Sequence, residues 1–374
     1  MIRILHSVSY MSRGGIETML MNYYRHIDRN KVQFDFLCHS NNQGAYDEEI
    51  EKLGGRIYRT PGLNPLKFRK YCQYMKDLFA SHPEYRIIES HNGPFGVYPL
   101  YAAKENNIPI RIYHAHGAGI EFDIKYPLKI TCKSLLKYNM NRHFICGIKA
   151  GYFYMGKTVM ETGNYKFIPN AIDLDKFIYN EEVRNKLRSK YGLERKLVVG
   201  HVGRISYEKN HRYLIKVFAK ALESNPDLYL VLLGDGALAS KVKAQIKQLG
   251  IENHVLMLGV VSNTNEWYQA FDLFVLPSIR EGLPVVGIEA QAADLPCIFS
   301  TAVTEEVALT EKTTFIDLKE PVEVWANKIN EVLNKKEYRN NNYDLLTEKG
   351  YNIKTEAKKL QELYISIYND VKQQ

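Results

Sequence analysis

Long apolar runs are missing from this chain of 374 residues. No stretch approaches the roughly 18 apolar residues that a membrane-spanning helix needs, so no span is expected. A secretory leader is not expected either. The opening MIRILHSVSY carries Arg3 and His6 in a short apolar stretch and runs into a glycine turn. Cysteine is sparse: Cys38, Cys72, Cys132, Cys146 and Cys297 form no close pair and no CxxC spacing. That argues against a zinc ribbon or a disulfide framework and fits reduced cytoplasmic thiols. Zinc-finger and RNA-binding signatures, short repeats and low-complexity tracts are all lacking. Disorder is excluded by a composition of 45% hydrophobic and 25% charged residues. The length favours two domains over one.

The net charge is +8, and it is unevenly spread. Residues 1–185 hold 25 Lys and Arg against 18 Asp and Glu, while residues 186–374 hold 25 against 24. The segment Ile124–Lys166 alone carries eight basic residues against one acid, Glu161. Such a patch suits anionic lipid or a phosphorylated substrate. No nucleic-acid partner is expected.

Strand-length apolar runs alternate with helical periods, the pattern of parallel α/β folds. Strands are expected at Ile2–His6, Gln33–Cys38, Arg56–Tyr58, Arg86–Ser90, Ile110–His114 and His143–Cys146. Helices should lie between them, the first at Ile16–Ile27 with Ile16, Met19, Leu20 and Tyr23 on one face. Lys166–Phe177 breaks the rhythm with Pro169 and Asn170 and is expected to be a linker before a polar helix at Asn180–Lys190. The pattern then restarts, with strands at Leu197–Val202, Tyr229–Leu233, Val255–Met257, Leu273–Leu276 and Cys297–Phe299. A final helix, Lys354–Val371, carries Leu360, Leu363, Tyr364 and Ile367 on one stripe. The expected architecture is two Rossmann-like doubly wound domains facing a cleft, at 1–168 and 169–353. In such folds ligands sit beyond the carboxyl ends of the strands.

Four groups of residues carry chemistry. Gly14-Gly15-Ile16-Glu17 follows the first strand and opens a helix, where backbone N–H groups can receive an anion. It is not GxGxxG, so dinucleotide binding is disfavoured. His114-Ala-His116-Gly117 ends a strand, and residues two apart on a strand share a face. No neighbouring acid or cysteine in the sequence completes a metal site there, so hydrogen bonding in a cleft is the expected role. His91 ends the preceding strand and should reach the same place. Arg204 and Lys209, in Val202-Gly203-Arg204-Ile205-Ser206-Tyr207-Glu208-Lys209-Asn210, pair a planar fork with a point charge, which suits a diphosphate. Last, Leu276-Pro277-Ser278-Ile279-Arg280-Glu281-Gly282-Leu283-Pro284 leads to Glu289. Two carboxylates, either able to accept two bonds from a vicinal diol, are framed by Gly282 and Pro284.

The ordered series GGIE, HAHG, IPNAIDLDKF, VGRISYEKN and LPSIREGLPVVGIEA resembles glycosyltransferase family 4, of the two-domain GT-B fold, and bacterial capsular and exopolysaccharide transferases in particular. The resemblance covers essentially the whole chain. It implies transfer of a sugar from a nucleotide diphosphate donor, a UDP-sugar by expectation, to an acceptor hydroxyl with retention. It implies no cofactor and no metal. By position, Gly14 and Gly15 would meet the donor diphosphate and Arg204 and Lys209 would stabilise the leaving group. Glu281, with the backbone of Gly282, Leu283 and Pro284, would hold the sugar, and Glu289 the ribose. The backbone near Leu258–Val261 would read the base. His116 matches the family's active-site histidine, with His114 and His91 as further sugar or acceptor contacts. The final helix, 354–374, is expected to cross back onto the first domain. After Ser300 the text STAVTEEVA departs from the family's glycine-rich step, which leaves Glu305 and Glu306 without a role.

Retention would call for a carboxylate nucleophile in a double displacement. Glu281 and Glu289 already have roles, so front-face attack is favoured, the diphosphate oxygen taking the acceptor's proton. Two other readings stay open: a non-catalytic nucleotide-sugar-binding subunit, and a nucleotide-sugar 2-epimerase on the same fold. The acceptor is expected to be a lipid-linked or other saccharide. A helix over Leu128–Met140 would align Lys129, Lys133 and Lys137 as a basic stripe beside Leu128, Leu135 and Leu136, with Tyr126 and Tyr138 at headgroup depth. The protein is therefore expected in the cytoplasm, docked through Ile124–Lys166 on anionic lipid of the inner leaflet.

Overall fold

The structure, a computed structural model, describes residues 1–60, 62–335 and 338–372. The chain divides into two compact units: Met1–Ala171 with Ile353–Gln374, and Ile172–Asn352.

The first unit is built on seven parallel strands. They are β1 (Ile2–Val8), β2 (Val32–Cys38), β3 (Ile57–Arg59), β4 (Ile87–Ser90), β5 (Ile110–Ala115), β6 (Arg142–Ile145) and β7 (Lys166–Phe167). Their order is β3-β2-β1-β4-β5-β6-β7. Every residue of β2 is buried, as expected of a strand covered on both faces. Lys166 and Phe167, expected in the linker, instead form the edge strand of this sheet and pair with β6. The helix Gly15–His26 buries Met19, Leu20, Tyr23 and Tyr24. The helix Ile353–Lys372 packs Ile353, Ala357, Leu360, Tyr364 and Ile367 into the same core as β1 and β2.

The second unit has six parallel strands: β8 (Leu197–Val202), β9 (Leu228–Leu233), β10 (Val255–Gly259), β11 (Leu273–Leu276), β12 (Cys297–Ser300) and β13 (Thr313–Ile316). Their order is β10-β9-β8-β11-β12-β13. The strand order reverses between β1 and β4 in one unit and between β8 and β11 in the other, and loops at such switch points form binding crevices. Each strand expected from the sequence is present to within two residues, and β13 was not anticipated. Asp272, just before β11, accepts bonds from Arg188 at 3.0 Å and from the Val198 N–H at 2.8 Å, and also binds Arg184. Arg339 caps the carbonyls of Tyr268, Gln269 and Phe271 behind the helix Thr264–Ala270. These guanidinium groups satisfy carbonyls that a helix end leaves unpaired. The five cysteines are free.

The basic stripe needs correction. Its helix runs Tyr126–Leu136 and stops short of Met140. Lys129 is tied to Asp123 at 2.8 Å, an acid just outside the basic segment, and Lys133 lies 3.7 Å over the Phe153 ring. Leu136 points into the core with no exposure. Lys137 lies 4.9 Å over the Tyr138 ring, so all three lysines are engaged. The exposed apolar side chains of this region are Phe122, Ile124, Ile130, Leu135 and Tyr138, with Ile124 97% exposed.

Candidate functional site

In the second unit, the loop after β8 and the loop after β11 are stitched together. The Ile279 N–H donates to the Glu208 carbonyl at 2.8 Å, and the Asn210 amide donates to the Pro277 carbonyl at 3.1 Å. Asn210 holds a left-handed φ of 56°, which asparagine tolerates better than most residues. The stitching brings Lys209 Nζ to 2.6 Å from Glu281 Oε1, and the Ser278 hydroxyl donates to the same oxygen at 2.9 Å. Lys209 and Glu281 therefore form one ion pair, a link the sequence spacing does not show. Arg204 is exposed and makes no ion pair among the described residues. Leu283 is buried, and Pro284 caps the helix Val285–Ala292.

Glu289 sits one turn into that helix and accepts a bond from the Tyr268 hydroxyl at 2.8 Å. Burial pushes its carboxyl up to about 7, against the pull of that hydrogen bond.

Two glycines that sequence reasoning passed over hold the Arg204 loop in place. A Cβ on Gly234 would fall 2.1 Å from the Gly203 carbonyl oxygen, and one on Gly236 would fall 2.4 Å from that of Ile205. The Gly203 N–H bonds the Leu233 carbonyl and the Ile205 N–H bonds that of Asp235. The Gly-Asp-Gly following β9 was the available signal, since glycine after a strand marks close backbone approach.

In the first unit, the helix Gly15–His26 has no side-chain cap. A Cβ on Gly14 would strike the Glu17 carboxylate at 2.2 Å, whereas one on Gly15 would meet nothing within 4 Å. Gly15 thus answers to no packing need, and its small size leaves the helix N-terminus open to a ligand.

The histidines of this unit are not separate contacts but one cluster. His6 on β1 lies in register with Glu89 on β4. Glu89 Oε1 is 2.9 Å from His114 Nδ1, and Glu89 Oε2 accepts the Tyr364 hydroxyl at 2.6 Å. His91 Nδ1 is 2.8 Å from His116 Nε2, and His91 Nε2 is 3.1 Å from His6 Nδ1. The rings of His114 and His116 stack with centroids 4.2 Å apart. Burial drives His6 down to about 4 and His114 to about 3, and holds His91 and His116 well below the usual imidazole range. The four rings are neutral near pH 7. Burial raises the Glu89 carboxyl, while His6 and the Tyr364 hydroxyl act the other way.

The expectation that no acid accompanies His114 and His116 is overturned, because β4 places Glu89 beside them. His91, His114 and His116 offer ligand atoms within 4.8 Å of one another, as do His6, Glu89 and His91. Either set could meet a divalent cation only by giving up imidazole hydrogen bonds, since His91 has both nitrogens engaged with other rings. At 2.8 Å, the His91–His116 nitrogens stand at hydrogen-bonding distance.

Two parallel sheets, each with charged or glycine-rich loops at its switch point, define a two-domain, Rossmann-like α/β architecture. The family described as "Glycosyl transferases group 1" matches residues 183–344. "Putative glycosyltransferase EpsF" of Bacillus subtilis is 37% identical over 335 residues, covering 87% of this chain and 86% of that one. An Escherichia coli protein, "UDP-Gal:alpha-D-GlcNAc-diphosphoundecaprenol alpha-1,3-galactosyltransferase", is 28% identical over 58% of each chain. Anabaena HepE, solved with UDP-glucose, superposes with a TM-score of 0.79 at 20% identity over 98% of this chain and 100% of its own. The chain belongs to the group 1 glycosyltransferases and has the GT-B fold.

Proposed function

We propose that this glycosyltransferase moves a sugar from a UDP-sugar to the hydroxyl of a lipid-linked saccharide during exopolysaccharide synthesis, with retention and without a metal. The observation that carries this reading is the Lys209–Glu281 pair beside exposed Arg204, on loops joined by the Ile279–Glu208 bond. Breaking a glycosyl–phosphate bond leaves charge on the diphosphate. Fixed cations placed where charge develops lower that barrier. Lys209 and Arg204 serve the diphosphate, Glu281 the sugar hydroxyls and Glu289 the ribose. In the first unit, Gly14 and Gly15 offer backbone N–H groups suited to an anion. The acceptor hydroxyl attacks the anomeric carbon from the leaving-group face. Its proton passes to the departing diphosphate oxygen, which takes the electron pair of the broken bond. Relatives support the acceptor class: one is named for a diphosphoundecaprenol-linked substrate. The test is a panel of nucleotide sugars with extracted lipid-linked saccharides, run with and without EDTA. Transfer from a UDP-sugar with the anomeric configuration kept, undiminished by EDTA, is expected. Loss in EDTA with recovery on manganese would overturn the metal-free reading.

Membrane docking is proposed on a revised set of residues. No helix among the described residues is long and apolar enough to cross a membrane. Phe122 and Ile124 stand exposed beside Lys125, with Tyr138 beside Lys137. Each basic residue near anionic lipid contributes about 1 kcal/mol, and apolar insertion adds to it. Co-sedimentation with phosphatidylglycerol vesicles should fall with salt and drop several-fold for Phe122→Ser/Ile124→Ser and for Lys125→Glu/Lys137→Glu. Equal sedimentation with neutral and anionic vesicles would sink the proposal.

A further inference from the structure

Glu89 is a buried carboxylate with no lysine or arginine partner among the described residues. A lone buried charge is costly unless its hydrogen bonds are complete. Here they come from Tyr364 on one oxygen and His114 on the other, with His91 Nε2 at 3.5 Å from the second. These contacts fix where protons sit. In its ionised form, which the Tyr364 hydroxyl bond and His6 favour against burial, Glu89 only accepts, so His114 carries its proton on Nδ1 and keeps a lone pair on Nε2, which has no partner. For His91, a proton on Nε2 points toward the Glu89 oxygen and His6 Nδ1, whereas a lone pair there would face the carboxylate. His91 Nδ1 is then an acceptor, and its donor at 2.8 Å must be the Nε2–H of His116. His116 is left with its lone pair on Nδ1. The tautomer of an imidazole is set by the bond its other nitrogen makes.

We propose that Glu89, braced by Tyr364, is a positioning residue that acts through His91 to hold His116 in the Nε2–H tautomer, so that His116 presents Nδ1 as a hydrogen-bond acceptor to a substrate hydroxyl. The assignment of a substrate to His116 rests on the proposed transferase reading; the tautomer does not. The low basicity that burial gives these rings keeps them neutral and suits them to this use. Tyr364 reaches the relay from the final helix, 275 positions from Glu89. That helix thus does more than fill the core. A donor such as a sugar or saccharide hydroxyl fits an imidazole lone pair; a phosphate oxygen, itself an acceptor, does not.

The test uses the full-length, tag-free chain with ¹⁵N-labelled histidine. Two-bond ¹H–¹⁵N spectra separate the two tautomers directly. His116 and His114 should appear as Nε2–H and Nδ1–H respectively in the wild type. Glu89→Gln should convert His116 to a mixture of tautomers, and Tyr364→Phe should do so in part. Turnover with the best donor should fall about 10- to 100-fold in Glu89→Gln and less in Tyr364→Phe, the scale of losing a residue that orients a site imidazole. Donor affinity should stay within about twofold, because the donor's charged contacts lie elsewhere. His116 found as Nδ1–H in the wild type overturns the relay. So does a Tyr364→Phe protein that is folded, with tautomers and turnover both unchanged. If the tautomers are as stated but no nucleotide sugar is turned over, the transferase reading fails and the relay stands.

Discussion

Lys209→Ala and Glu281→Ala are each expected to cut turnover at least about a hundredfold, the range for losing one preorganised electrostatic group at a reacting centre. The 2.6 Å pair makes the two losses different in kind. Removing Lys209 deletes a cation meant for the departing diphosphate and leaves Glu281 with only the Ser278 hydroxyl on Oε1. An uncompensated carboxylate then faces the incoming phosphates, so donor affinity should fall along with turnover. Removing Glu281 frees Lys209 to swing toward the diphosphate. Nucleotide binding should then be kept or even strengthened while sugar transfer is lost. Initial rates and UDP titrations on both variants, with circular dichroism to verify folding, distinguish these cases. If both variants turn over within twofold of wild type while folded, the pair is not at the reaction centre. Because the residues share one contact, the double variant should cost less than the two singles combined.

The strands were legible because a doubly covered parallel strand is a run of Val, Ile, Leu and Phe, as β11 is and as β9 is but for Tyr229. The loops after β8 and β11 were legible as loops because glycine, proline and charge follow such strands at their carboxyl ends. The helix Val322–Asn334 went unread although Trp325, Ala326, Ile329 and Leu333 have helical spacing and are buried. In sequence its apolar positions are interrupted by Glu323, Asn327, Lys328 and Asn330, and β13 is only four residues long, Thr313–Ile316. The relay was out of reach for a different reason. His6, Glu89 and His114 are neighbours only because the strand order runs β1-β4-β5, and Tyr364 joins them only because the last helix packs in that unit. Strand order and long-range docking have no local signature. The basic stripe misled because a lysine's partners leave no periodic trace: Asp123 lies six positions before Lys129, and Phe153 lies 20 positions beyond Lys133.

Glu289→Ala should weaken nucleotide-sugar binding by at least about a hundredfold, since a charge-assisted hydrogen bond is worth about 1.5–3 kcal/mol and a ribose diol offers two. The wild type should also bind in a pH-dependent way whose sign follows from the raised carboxyl. Burial disfavours the charge on Glu289 and pushes its carboxyl up to about 7. The ionised form offers both ribose hydroxyls charge-assisted acceptors, whereas protonation turns one oxygen into a donor and weakens the other. UDP-glucose, whose diphosphate carries no group titrating near neutrality, should therefore bind about tenfold more tightly at pH 8 than at pH 6. Ligand-free stability should move the other way. A carboxyl raised on folding contributes stability that is complete below its unfolded value and is lost as pH rises through about 7. Nucleotide binding above that pH should restore it. Glu289→Gln keeps the shape and one acceptor oxygen but cannot ionise, so its affinity should be low and flat across this range. Its ligand-free melting temperature should vary less with pH than that of the wild type. Calorimetric titration at four pH values on both proteins measures the slope. A wild-type affinity independent of pH, or a Glu289→Gln protein with the same slope, would remove Glu289 from the ribose.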